Sequence, residues 1–285
     1  MSLRFEQFIR FTTDSVGLER IFRLFQSIVQ ILSNFALPFD LLLQVFTLTT
    51  EKTPSPATTR VILKALNQRL ALARRFFRLF RFLDSFNAAQ KLSSKLSAAQ
   101  DNSNNNKKGA AVPYGFVARV HPWIDVFAKT FMGMYLLLEA STIVDALQVP
   151  GLAIWTVERE RTISLEAQRF WLFSLVCSAV YNVLEISFTL SAAAPPSSTG
   201  KGASSEKKTA SQEKRKLEQK REFTTKVYKL GRGATASLLD IVLPGTTVGW
   251  VKAEPGTVGL AMFVTTILTM MDVWERCGRE VAASG

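Results

Sequence analysis

Residues Arg60 to Leu83, RVILKALNQRLALARRFFRLFRFL, hold Arg60, Lys64, Arg69, Arg74, Arg75, Arg78 and Arg81 and no acidic side chain. Projected at 100° per residue, Ile62, Leu66, Leu70, Ala73, Phe77 and Phe80 line one face, and Val61, Ala65, Leu72, Phe76, Leu79 and Leu83 widen it. Arg60, Lys64, Arg74, Arg75, Arg78 and Arg81 take the other side with Asn67 and Gln68. Two residues break the pattern: Arg69 falls in the apolar sector, where its long stem can snorkel out, and Phe82 falls in the polar one. A surface helix of a soluble protein normally mixes signs on its polar face to gain pairs one turn apart. An all-cationic face opposite a broad Phe/Leu/Ile face is the pattern of a helix lying in a lipid interface.

The spacing therefore predicts a membrane-binding amphipathic helix over about 58–86, with Arg60, Lys64, Leu66, Leu70, Arg74, Arg75, Phe76, Phe77, Arg78, Phe80 and Arg81 as its contact residues. Each basic residue near an anionic leaflet is worth roughly 1 kcal/mol, and each fully buried large apolar side chain roughly 1.5–3 kcal/mol. Insertion thus supplies most of the affinity, and the charges select an anionic phospholipid membrane. A wedge in one leaflet expands it relative to the other, so enough copies favour curved membrane. A core helix with a merely solvated basic side and a calmodulin-type target helix share parts of the pattern. Nucleic acid is not expected as a partner, because no aromatics interleave with the arginines for base stacking.

The rest of the chain agrees with a membrane surface. Its 285 residues carry 35 Lys plus Arg against 23 Asp plus Glu, yet 47% of them are hydrophobic, whereas basic chains that bind nucleic acid or stay disordered tend to be poor in apolar residues. The cysteines, Cys177 and Cys277, form no C-x-x-C pair, and the single histidine, His121, has no second histidine for a metal site or a proton relay. No enzyme activity, cofactor or metal is expected. The N-terminal MSLRFEQFIRFTTD lacks the apolar core of a signal peptide and the terminal AASG is no targeting tail, so organelle targeting is expected to be internal.

Period-two alternation never runs far, and apolar residues recur at three- and four-residue steps. The expected fold is all-α: a membrane-associated helical protein with a basic amphipathic helix and one to three marginal transmembrane helices. In the first block Ile21, Leu24, Phe25, Ile28, Ile31 and Leu32 follow the helical rule, with Asp14 or Ser15 as N-cap; Pro38 breaks or kinks the next helix, and a new one begins near Thr58 or Thr59. The organisation reads as an N-terminal helical block (1–96), an Asn-rich linker (97–112), central apolar helices (113–190), a charged low-complexity spacer (191–222) and a C-terminal helical membrane segment (223–285). These are helical segments, not autonomous domains. The longest charge-free windows, Pro255 to Met271 and Phe170 to Leu184, fall short of the roughly 20 residues that span a bilayer. They reach that length by extending through Asp272 toward Trp274 and through Glu185 toward Leu190. Trp123 to Asp145 carries Asp125, Lys129 and Glu139 on one stripe and suits a helix assembly or an interface. Gly245-x-x-x-Gly249 permits close helix contact, although Pro244 and the Thr pair equally suit a turn.

Three stretches carry a family likeness: Gly17 to Gln26, GLERIFRLFQ; Ala73 to Leu92, ARRFFRLFRFLDSFNAAQKL; and Leu238 to Arg276, with LLDIVLPGTTVGW followed by a Gly-containing apolar segment and DVWER. In this order and spacing the chain resembles the peroxin-eleven family of peroxisomal membrane proteins, which promote elongation and division of the organelle. The resemblance implies a self-associating helical protein of the peroxisomal membrane, targeted by the membrane-protein import receptor. It also implies that the basic helix, here Arg60 to Leu83, starts tubulation before fission machinery including a dynamin-related GTPase acts. Two other readings stay open: a channel or metabolite transporter with Asp125, Lys129, Glu139 and Glu185 along a polar path, and a soluble helical adaptor.

Overall fold

The computed structural model describes residues 2–49, 55–105, 116–193 and 210–284, and these form helices with no strand among them. In order they are α1 (Leu3–Thr13), α2 (Ser15–Asn34), α3 (Ala36–Thr49), α4 (Pro56–Phe77), α5 (Arg81–Asn105), α6 (Phe116–Ser141), α7 (Ile143–Ala146), α8 (Val157–Ala193), α9 (Ala210–Asp240), α10 (Val242–Val248) and α11 (Pro255–Ser284).

Local chemistry sets the breaks. Asp14 caps α2 by accepting from the Gly17 N–H at 3.3 Å. The chain bends by 99° between α2 and α3, and Pro38 then sits in the first turn of α3, where a missing N–H costs nothing. Pro56 opens α4 in the same way, slightly ahead of the expected start. Gly249, at φ +87°, ends α10 in a left-handed conformation, while Gly245 packs so closely that a Cβ there would lie 2.6 Å from Val251. The segment thus serves as both a close contact and a turn.

The helices assemble across the whole sequence. α6 packs on α8, α5 on α6 and α9 on α8, while α2 packs on both α4 and α11, and α1 on α11. N- and C-terminal residues share one core: Phe11, Val273 and Cys277 are buried together, and the Phe11 and Trp274 rings meet edge to face at 5.7 Å. Helices extend into parts of the stretches read as linker and spacer. α5 runs to Asn105, into the stretch read as a linker, as the continuation of a helix that packs on α6. The charged half of the 191–222 spacer, whose Lys/Glu-rich sequence predicts a helix from about Gln212, is the start of α9. The Asn/Lys part of the linker and the Pro/Ser/Gly part of the spacer lie outside the described residues.

Gly17 holds the α1–α2 corner. A Cβ at this position would lie 2.0 Å from the Phe11 carbonyl oxygen, which is backbone and cannot step aside. Gly17→Ala is expected to cost about 3 kcal/mol through overpacking and to lower the thermal midpoint. Gly231→Ala, with nothing within 4 Å of the added methyl, is expected to hold or raise it. A Gly17→Ala melt matching wild type would disprove the close approach.

Candidate membrane interface

α4 turns one part of its apolar arc toward the protein and the other away. Thr59, Leu63 and Arg74 are buried against the bundle, and Leu70 packs on the cluster of Val29, Phe39 and Leu63. Phe77 is half-buried, its ring 5.2 Å from that of Phe22 on α2. Facing out are Val61, Ile62, Leu66 and Phe76, with Phe80 just beyond the helix end at 70% exposure. Arg60, Lys64 and Arg69 are exposed around them. Of the residues predicted to bind membrane, the outward surface therefore gathers Arg60, Lys64, Leu66, Phe76 and Phe80, whereas Leu70 and Phe77 meet α2 and α3, and Arg75 and Arg81 are half-buried.

The cationic face divides in the same way. Arg74 Nη2 lies 2.9 Å from Glu19, and a further Arg74 nitrogen donates to Gln26 at 2.6 Å. Arg78 donates to Glu139 of α6 at 2.7 Å, Arg75 stands 3.7 Å from the same carboxylate, and the Tyr135 hydroxyl donates to it at 3.1 Å. Burial brings the Arg74 pKa down to about 10, which leaves it charged at neutral pH. Burial alone would also lower Arg78, but the adjacent Glu139 outweighs it and holds Arg78 above its ordinary value. Burial pushes the Tyr135 hydroxyl up to about 12.

The helix read as continuous to Leu83 stops at Phe77 and restarts at Arg81. No Gly or Pro marks the break. Arg78 adopts φ −105°, ψ 0° while its guanidinium reaches Glu139, and the turn swings α5 onto α6. There Phe82 joins the core around Tyr135, Leu136 and Ala167, and Phe86 covers Gly133. The turn thus explains why Phe82 violated the helical projection: it belongs to a different helix axis.

α2 is built inside out by the standards of a water-soluble helix. Glu19, Arg23 and Ser27 are buried while Phe25 and Ile28 are exposed. Glu19, Arg23, Gln26 and Gln30 follow a single i, i+4, i+7, i+11 stripe, a signal present in the sequence but invisible in the spacing of its apolar residues. Arg23 bonds Asp240 and also donates to Thr265 at 3.1 Å. Polar side chains turned inward and apolar side chains outward are what lipid as a solvent favours.

Two helical segments, Val157–Ser191 and Pro255–Ser284, are long and apolar enough to cross a membrane, and the bent pair Ser15–Asn34 with Ala36–Val45 makes up to three. These contain both windows extended in the sequence reading. Phe173, Val176, Val180 and Val183 form an exposed stripe on α8, and Leu260, Val264, Ile267 and Met271 form one on α11. α6 is not among the spans; its Lys129 pairs with Asp125, and its Glu139 anchors Arg78. No group of metal-ligating side chains occurs among the described residues.

No curated protein and no solved structure matches the chain. The family model Peroxisomal biogenesis factor 11 (PEX11) matches residues 5–274, nearly its whole length. With apolar helices of bilayer length and a polar interior, the chain belongs to the peroxisomal biogenesis factor 11 family and is a peroxisomal membrane protein that takes part in peroxisome proliferation.

Proposed function

We propose that the protein elongates the peroxisomal membrane before division by pressing the outward face of α4, continued by Phe80 and Leu83, into the cytosolic leaflet as a shallow wedge. The observation that carries this reading is the exposed apolar row Val61, Ile62, Leu66 and Phe76 on a helix without a single acidic residue. Leu63, Leu70, Phe77 and Arg74 fasten that helix to the bundle, and Lys64, Arg69 and the exposed Arg60, whose guanidinium lies 4.8 Å over the Phe39 ring, meet anionic headgroups. A wedge held on an anchored bundle transmits its displacement to the leaflet instead of swivelling away.

In this reading copies of the chain self-associate to concentrate wedges, the import receptor delivers the chain, and a dynamin-related GTPase severs the tubule. The three helical blocks, joined by the linker and spacer, act as one bundle and not as separate units. The protein acts without catalysis or cofactor.

The charge contribution is tested by flotation of the full chain on vesicles. Replacing Arg60, Lys64 and Arg69 together with Ala removes roughly 3 kcal/mol of attraction, at about 1 kcal/mol per charge, while leaving the ion pairs of Arg74 and Arg78 untouched. The variant is expected to bind anionic and zwitterionic vesicles nearly alike. An unchanged preference for anionic lipid would remove α4 from the membrane surface.

A further inference from the structure

Behind α4 the bundle encloses a cavity of about 370 Å³ among α2, α5, α6, α8, α9 and α11, with Arg20, Arg23, Arg78, Arg81, Ser85 and Asn182 in its wall. Its charges do not balance. Glu19 serves both Arg74, at 2.9 Å, and Arg20, at 3.5 Å; Glu139 serves both Arg78 and Arg75; Asp240 serves Arg23. Asp272, also in the wall, is engaged by Arg232 of α9, which holds Glu275 as well. Arg81 has no carboxylate partner among the described residues. The wall itself thus holds four guanidinium groups, those of Arg20, Arg23, Arg78 and Arg81, against the carboxylates of Glu19, Asp240 and Asp272, the last of them turned to Arg232.

The hydrogen bonds leave more donors than acceptors over. The Nε groups of Arg20, Arg23 and Arg78 are buried without a hydrogen bond among the described residues, as is Glu19 Oε2, which faces the Arg20 Nε at 3.5 Å. The Arg20 side chain is only 18% exposed, and Arg81 adds a second positive charge close enough to repel it. Unmatched buried cations are costly, and guanidinium forks match tetrahedral oxyanions in shape as well as charge. A phosphate would offset the excess and offer acceptors to more than one guanidinium at once.

We propose that this cavity binds a phosphate group, held between Arg20 and Arg81 with Arg78 and Arg23 beside it. The phosphate belongs either to free inorganic phosphate or to the monoester headgroup of a lipid. The site faces inward and the α4 wedge outward, so phosphate binding and membrane tubulation can fail separately.

The test uses the full chain in phosphatidylcholine nanodiscs, titrated with inorganic phosphate against chloride at equal ionic strength and followed by thermal unfolding and calorimetry. A second arm replaces free phosphate with phosphatidic acid in the disc, against the phosphodiester phosphatidylglycerol. A saturable rise in unfolding midpoint in the first arm identifies free phosphate; a rise confined to phosphatidic acid identifies the headgroup. Arg81→Gln is expected to weaken the response at least tenfold, and Arg161→Gln, an equal charge change at an exposed site on α8, to leave it unchanged. Arg81→Lys keeps the charge and loses the fork; it is expected to fold normally and bind several-fold more weakly, which covers the case in which Arg81→Gln is unstable. Absence of a saturable response in both arms would overturn the proposal, as would equal weakening by Arg81→Gln and Arg161→Gln.

Discussion

Full-length protein carrying Ile62→Ser, Leu66→Ser, Phe76→Ser and Phe80→Ser is expected to lose tubulation of anionic vesicles altogether while melting close to wild type. The four side chains are exposed in the fold, with Ile62 at 58% and Phe80 at 70%, so removing them opens no cavity. The cost to the bundle is confined to helix propensity, about 0.5 kcal/mol at each helical site. In the membrane the loss is far larger. Burying four such side chains contributes roughly 6–12 kcal/mol per copy as an upper bound, and that term displaces the lipid. Residual electrostatic binding through Arg60, Lys64 and Arg69 should survive at low salt and vanish near 1 M, where screening reaches about 3 Å. Leu70 and Phe77 are poor choices for the same experiment, because they pack on α2 and α3 and their loss would unfold what it is meant to probe. In cells the variant should give fewer and larger peroxisomes. Tubulation by the variant at wild-type levels would assign remodelling to another surface.

The choice of residues in that experiment separates what the sequence displays from what only packing reveals. A 3.6-residue period reports that an apolar arc exists, and α4 does carry it. It cannot say which part of a wide arc meets another helix and which meets lipid, since Leu, Ile and Phe satisfy both. The charges mislead for a related reason. Arg74 and Arg78 have no acidic neighbour on their own helix and so read as lipid contacts, but their partners Glu19 and Glu139 lie 55 and 61 residues away in the chain. Phe82 was the one visible warning of the break at Arg78. The membrane-length segments were legible because length and composition alone define them. The inward polar stripe of α2 was equally open to inspection, and its meaning depends on inverting the usual expectation that polar residues face out.

Loss of the Glu19 carboxylate is expected to be the most destabilising single change in the bundle. Its side chain is 2% exposed and lies against Arg74 at 2.9 Å and Arg20 at 3.5 Å. Glu19→Ala leaves both guanidinium groups buried without their shared anion, a cost of about 3–5 kcal/mol and roughly a 10 °C fall in the unfolding midpoint by the scaling for large domains. The pair's net worth is a separate quantity, because two desolvated charges recover little beyond what their desolvation costs. Glu19→Leu combined with Arg74→Leu should therefore melt well above Glu19→Ala, and the double-mutant cycle should show a coupling above about 1 kcal/mol. Arg20 remains charged in the double variant, so recovery is expected to be partial. The outward face of α4 is unaltered by Glu19→Ala, so vesicle binding should persist at temperatures where the variant is folded, whereas tubulation should weaken because the wedge is no longer fastened at Arg74. Strict additivity in the cycle, or a Glu19→Ala midpoint equal to that of wild type, would show that α4 is held to α2 by its apolar contacts at Leu63, Leu70 and Phe77 alone.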